Sequence, residues 1–105
     1  MSKHYLLNKD HTIKVVDDVL EWGREFETLD RVVKQEELEN GYKVSTVFLG
    51  VDYNFAPTGE PILFESMVFK INDKDRGRNY DMNRYHTWDE AVAGHKKMVR
   101  KWEAK

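Results

Sequence analysis

Two side chains of this sequence have the chemistry of a general acid and a general base. His95 lies in the middle of an apolar helical stripe, and Glu65 is the lone charge in the apolar run PILFESMVFKI. A buried imidazole needs a hydrogen-bond partner, which a carboxylate can provide. Such a pair can transfer protons in catalysis. Buried polar pairs more often only satisfy each other, so the sequence predicts a structural Glu65–His95 bridge between a helix and a sheet.

Other catalytic and metal-binding patterns are weak. The hydroxyls of Ser45, Thr46 and Ser66 fall inside predicted strands and lack a nucleophile elbow. The chain has no cysteine, which excludes thiolate ligands, a cysteine nucleophile and a disulfide scaffold. The remaining metal-ligand candidates match no compact spacing; they are His86, Asp89, Asp52 and His95. The sequence therefore predicts no catalytic residue, no metal and no cofactor.

Aromatic and cationic side chains alternate before the second predicted helix, and more aromatics lie in a turn-rich segment at 50–60. Such groups bind phosphate, stack a base or contact a partner when they are exposed together. The alternative is a loop that crosses the sheet with its tyrosines half-buried. The predicted ligand- or partner-binding residues are Tyr53, Phe55, Arg76, Arg78, Tyr80, Arg84, Tyr85 and His86.

The first third of the chain predicts a hairpin followed by a helix. Two short β-type runs, 5–7 and 12–16, are separated by a polar turn. Asp17 and Asp18 offer a cap and a negative charge at the start of a helix over 18–28, whose apolar residues recur at helical spacing.

The rest of the chain predicts strands and a final helix. Asn40-Gly41 is a strong hairpin signal because both residues tolerate positive φ. Thr87 and Glu90 form a capping box before an amphipathic run. The predicted segments are strands at 31–38, 42–51 and 61–71, a polar loop at 72–84 and a helix at 88–101.

The order β-β-α-β-β-β-α predicts an α+β fold with one antiparallel sheet of about five strands and both helices on one face. A length of 105 residues suits a single globular domain over 1–105. Hydrophobic residues make up 40% and charged residues 34% of the chain, which is ordinary for a globular protein.

The net charge of −2 is unevenly distributed. Residues 1–69 carry seven basic and thirteen acidic side chains, whereas residues 70–105 carry ten basic and six acidic ones. This polarity can steer a charged partner, although segregated surface charges alone also explain it. The acidic total argues against nucleic acid as the partner. The absence of cysteine, of an apolar leader and of a membrane-length run predicts a cytoplasmic protein without a membrane partner.

Three stretches carry a family resemblance. They are STVFLG at 45–50 with Asp52, Asn54 and Phe55, then LFESMVF at 63–69, then RYHTWDEA at 84–91 with Gly94-His95 and Met98-Val99. Together they resemble a family of small proteins encoded by bacteriophages and prophages whose function is not established. The resemblance covers most of residues 20–100 and implies a phage or mobile-element origin.

Three function classes follow, in descending order of expectation. The first is a non-catalytic binding module that inhibits or modulates a host protein, as small phage accessory proteins often do. The second is a protein that binds and sequesters a nucleotide or cyclic nucleotide through its arginines and tyrosines. The third is a small hydrolase-type enzyme. A homodimer would form through the edge of the polar strand 31–38 or through a sheet face left bare by the helices.

Overall fold

The computed structural model describes residues 3–56, 58–72 and 78–105. The predicted α+β class is confirmed. The described residues form the two expected helices and six strands, one strand more than expected. The elements are β1 (His4–Leu7), β2 (Ile13–Val16), α1 (Val19–Thr28), β3 (Val32–Glu37), β4 (Tyr42–Phe48), β5 (Phe64–Lys70), β6 (Asp81–Tyr85) and α2 (Trp88–Glu103).

The strands form two antiparallel sheets where one was expected. β1 and β2 make a two-stranded sheet, and the other four strands follow in the order β3-β4-β5-β6. A single bridge between His4 and Val51, with a hydrogen bond of 2.9 Å from the Tyr5 N–H to the Gly50 carbonyl, connects the hairpin to the larger sheet. The hairpin therefore adds a separate small layer and does not extend the sheet.

The additional strand, β6, takes up the end of the predicted loop 72–84 and extends to Tyr85. It pairs antiparallel with β5, with Tyr85 opposite Phe64 and Asp81 opposite Val68. Its sequence, DMNRY, lacks the alternation of a typical strand, but β6 is an edge strand whose Met82 and Asn83 are exposed, so polar residues are accommodated there. The middle of the predicted loop, residues 73–77, lies outside the described residues.

Both helices begin where the sequence places their caps. The Asp18 carboxylate accepts hydrogen bonds from the N–H groups of Leu20 and Glu21. The Thr87 hydroxyl accepts from the Glu90 N–H at 3.1 Å, and the Glu90 carboxylate accepts in return from the His86 N–H. These contacts satisfy backbone donors that have no partner inside a helix.

The two helices occupy different positions. α2 packs on the four-stranded sheet, whereas α1 packs on the β1–β2 hairpin. On β4 the side chains of Val44, Thr46 and Phe48 are fully buried beneath this layer. Hairpin residues such as Tyr5 join Phe48 and the β5 residue Phe64 in one apolar cluster, so the hairpin and α1 cover the same side of the sheet as α2. The opposite face of the four-stranded sheet carries no helix of the described chain.

None of the helices in the described parts of the chain has the length and apolar character needed to cross a bilayer.

Candidate functional site

A line of hydrogen-bonded side chains crosses the interior between the sheet and α2. The Tyr85 hydroxyl donates to the Ser66 Oγ at 3.0 Å, and the Ser66 and Thr46 hydroxyls lie 2.6 Å apart. The Thr46 Oγ1 is 2.6 Å from His95 Nδ1, and His95 Nε2 is 3.3 Å from Glu36 Oε1. We call these five residues the polar chain. They join all four strands of the larger sheet to α2.

The predicted pairing of Glu65 with His95 is wrong, because the two side chains lie on opposite faces of the sheet. Thr46 is opposite Ser66 in the β4–β5 register, and both meet the face that carries His95. Glu65 is one residue away and therefore points to the other face. The carboxylate that reaches His95 is that of Glu36. The sequence did not single out Glu36, because it lies among other polar residues in the strand 31–38. Thr46 and Ser66, hydroxyl residues within apolar runs, are the signal from which a buried polar network could have been predicted.

The polar chain is enclosed except at Glu36, whose side chain is 33% exposed. Thr46 and Ser66 are fully buried, and His95 is only 1% exposed. Within the described residues, every buried side-chain nitrogen or oxygen has a hydrogen-bond partner. A nucleophilic hydroxyl must reach a substrate carbonyl or phosphoryl group, and these hydroxyls cannot. The arrangement instead fixes α2 against the sheet, since unsatisfied polar groups in this interior would be costly.

Burial lowers the pKa of His95, and the neighbouring Glu36 carboxylate opposes this shift without cancelling it. The imidazole is therefore neutral in the folded protein near pH 7. Glu36 has a lowered pKa because it accepts a hydrogen bond from Lys34, which lies 3.1 Å away. A neutral imidazole, with one nitrogen donating and the other accepting, suits a position between a hydroxyl and a carboxylate.

We expect the stability of the protein to fall as the pH drops below about 6.5, the ordinary pKa of histidine. In that range the unfolded chain binds a proton at His95 that the folded chain excludes, so acid favours unfolding. Each unit by which the pH falls lowers the free energy of unfolding by at most about 1.4 kcal/mol, until the pH reaches the lowered pKa of His95 in the folded protein. Denaturant titrations at pH 7.5, 6.5 and 5.5 measure the loss. A His95→Gln variant should show a shallower dependence, and an equally steep one would contradict this assignment.

The face of the larger sheet opposite α2 is partly exposed: Gln35, Glu37 and Met82 are exposed, whereas Ser45 and Glu65 are buried. We call it the helix-free face. Strand alternation and the registers of β3 to β6 assign its side chains. It combines apolar, acidic and basic groups; its members are Gln35, Glu37, Lys43, Ser45, Val47, Glu65, Met67, Phe69, Met82 and Arg84. The two carboxylates and two cationic groups balance each other in charge.

One end of this face is organised around Arg84. Its guanidinium Nε lies 2.9 Å from Glu65 Oε2, and the Glu65 side chain is only 9% exposed. The same guanidinium lies over the Tyr53 ring, 5.0 Å from its centre. The rings of Tyr53 and Phe55 are 6.3 Å apart, and Phe55 is 86% exposed. Three predicted binding residues therefore come together here, beside an ion pair.

The loop that presents Phe55 is held by its own hydrogen bonds. The Asp52 carboxylate accepts from the N–H groups of Asn54 and Ile62 at 2.7 and 2.8 Å. The Asn54 side-chain amide donates to the Glu60 carbonyl at 2.8 Å, and its oxygen accepts from the Ala56 N–H. These contacts fix the two sides of the loop together. An exposed aromatic on a constrained loop loses little conformational freedom when it binds a partner.

The other predicted binding residues lie elsewhere. Arg78 lies over the ring of Tyr80, which packs near Tyr42 and Trp102 at the far end of β6.

Tyr85 is only 7% exposed and belongs to the polar chain, so its prediction as a binding residue is wrong. His86 Nδ1 lies 3.0 Å from the Pro61 carbonyl. Arg76 lies outside the described residues. The aromatic and basic group expected before α2 is thus divided, and its Arg84 lies with the aromatics of the 50–60 segment.

The surface also contains a groove of about 690 Å³ between β3 and α2, lined by residues 36–40, Val99 and Glu103. Across the described segments, no three histidine, aspartate or glutamate side chains are placed to hold a metal ion.

These features define a small α+β protein with a largely buried polar network on one face of its larger sheet and no helix on the other face of the described residues. Comparisons with protein-family models, curated proteins and solved structures give no match to the chain.

Proposed function

We propose that this protein is a non-catalytic binding module that recognises another protein through the helix-free face and the Tyr53–Phe55 loop. The observation that carries the proposal is Phe55, a large aromatic side chain that is 86% exposed on a loop fixed by hydrogen bonds. Aromatic side chains are enriched in protein interfaces, and Phe55 lies next to Tyr53 at one end of the mixed face.

The composition of the face favours a protein partner. Tyr, Phe, Met and Arg are enriched at protein interfaces, and all four types meet here in Tyr53, Phe55, Met67 and Arg84. Flexible methionine side chains adapt to a partner's shape. The resemblance to phage-encoded proteins suggests that the partner is a host protein in the cytoplasm, which the module inhibits or modulates.

Nucleotide binding is the weaker alternative on this geometry. Recognition of phosphate requires cationic groups that converge and are available. The guanidinium of Arg84 is already paired with Glu65, and Arg78 lies three residues beyond the opposite end of β6. Arg84 and Arg78 therefore do not form a shared phosphate site.

The test is capture of partners from a bacterial lysate with tagged protein, followed by mass spectrometry and measurement of the affinity for any protein recovered. Truncating an anchor aromatic typically costs about 2 kcal/mol or more of binding free energy. We therefore expect Phe55→Ala to weaken the complex by at least about tenfold. The stability of the free protein should change little, because Phe55 is exposed.

Leu20→Ala is the matched control, because Leu20 is also a large apolar side chain and is 74% exposed, but it lies on α1. It should bind as the wild type does. A second variant, Met82→Lys, places a charge on the helix-free face and should also weaken the complex. Recovery of no partner, or full binding by both the Phe55 and Met82 variants, would overturn the proposal.

A further inference from the structure

β3 is an edge strand of the larger sheet. It pairs with β4 along one side, and no described residue pairs with its other side. An open edge presents backbone N–H and C=O groups that can pair with a further strand. Self-association through this edge would be independent of the partner-binding function proposed above.

The backbone orientation along β3 follows from its pairing with β4. The Leu38 N–H donates to the Tyr42 carbonyl at 2.7 Å, so the backbone groups of Leu38 face β4. In an antiparallel pair this orientation alternates, and Glu36 and Lys34 therefore also face β4. The N–H and C=O groups of Gln35 and Glu37 point outward. A second strand must align its own outward groups with these two.

Charge distinguishes among the antiparallel registers that two copies of β3 can adopt. With Gln35 opposite Gln35 of the second copy, each Lys34 lies opposite a Glu36. A register that places Gln35 opposite Glu37 brings the two Glu36 carboxylates together, and one centred on Glu37 brings the two Glu37 carboxylates together. Opposite charges across a strand pair stabilise it, whereas like charges destabilise it.

We propose that two copies of this chain associate as a twofold dimer by antiparallel pairing of their β3 strands, centred on Gln35. Edge charges commonly prevent strand addition. Here they select one register, because Lys34 of each copy lies opposite Glu36 of the other copy across the twofold axis.

The side chains that set this register are already oriented in the single chain. Lys34 Nζ lies 3.1 Å from Glu36 Oε1, and His95 holds the same carboxylate from the interior. The Gln35 side chain donates to the Ser45 Oγ at 2.9 Å and so stays on the helix-free face. Pairing would join the two four-stranded sheets into a single sheet of eight strands, and the two helix-free faces would become continuous.

Cysteine cross-linking tests the register directly, because the chain contains no cysteine of its own. In the proposed dimer the two copies of residue 35 are a hydrogen-bonded pair, with Cα atoms about 5.5 Å apart. A disulfide accepts this separation. A Gln35→Cys variant should therefore form a covalent dimer under mild oxidation.

Glu37→Cys is the matched control on the same strand. Its two copies would lie about 13 Å apart along the strands, beyond the reach of a disulfide. Cross-linking of Gln35→Cys but not Glu37→Cys supports the proposal. Equal cross-linking of both variants, cross-linking of Glu37→Cys alone, or of neither, overturns it.

Light scattering after size exclusion gives a second readout without cysteine. The wild-type protein should have the mass of a dimer, and Lys34→Glu should raise the dimer dissociation constant by about tenfold or more, because both cross-strand pairs become repulsive. A monomeric wild-type protein at every concentration would contradict the dimer. Capture of a host protein by that monomer would leave the binding function intact, so the two proposals fail separately.

Discussion

Replacing His95 with alanine should lower the free energy of unfolding by about 3 kcal/mol or more. The substitution leaves a cavity in a site that is 1% exposed, and it removes one hydrogen-bond partner from the Thr46 hydroxyl and one from the Glu36 carboxylate. For a domain of this size the melting temperature should fall by more than about 10 °C. Chemical and thermal denaturation followed by circular dichroism measure both quantities.

His86→Ala is the control for loss of an imidazole. His86 is half-buried, and among the described residues its ring is hydrogen-bonded to the Pro61 carbonyl, so its removal should cost about 1 kcal/mol. A double-mutant cycle with Thr46→Val and His95→Ala should give a coupling energy of about 0.5–3 kcal/mol. Equal destabilisation by the two histidine variants, with no coupling to Thr46, would show that the polar chain does not secure α2.

Replacing Gly94 with alanine should destabilise the protein by about 1–3 kcal/mol, although alanine is the better helix former. A methyl group at this position of α2 would collide with the buried ring of Tyr85. The ring cannot move without breaking the hydrogen bond from its hydroxyl to Ser66. Denaturant unfolding of the variant measures the loss.

Gly23→Ala is a matched control, because Gly23 also lies within a helix but has open space where the methyl group would extend. Only helix propensity acts there, so this variant should gain about 0.5–1 kcal/mol. Opposite signs for the two variants are the expected result. If Gly94→Ala also stabilises the protein, the close contact between α2 and β6 does not constrain the fold.

On the proposed function, the buried and the exposed polar groups of the protein have separate roles. Apart from Glu36, the polar chain is enclosed, and it supports the layer formed by the sheet and α2. The exposed Phe55 and the half-buried Tyr53 and Arg84 lie at the surface, where a partner would reach them. Substitutions in the interior should therefore change stability first, and substitutions on the helix-free face should change binding with little effect on stability. This separation makes stability and binding measurements independent tests.

Several features follow from local sequence alone. Asp18 and Thr87 place the starts of the helices because a capping side chain needs only backbone groups two or three residues away. Asn40-Gly41 sets the β3–β4 turn, where Gly41 has a φ of 91°. The α+β class follows from the order of such local signals, and the exposure of Phe55 fits its turn-rich segment.

Tertiary structure decided which side chains meet. Glu65 and His95 each lie in an apolar stretch of the sequence. A shift of one residue in strand register moves a side chain to the opposite face, and no local pattern in β5 sets that register. β6 forms because β5 offers it a partner, against the weak strand preference of its own sequence. The partner of His95 is Glu36, 59 residues away in the chain. Contacts of this kind depend on the packing of α2 across all four strands, which the sequence specifies only through the complete fold.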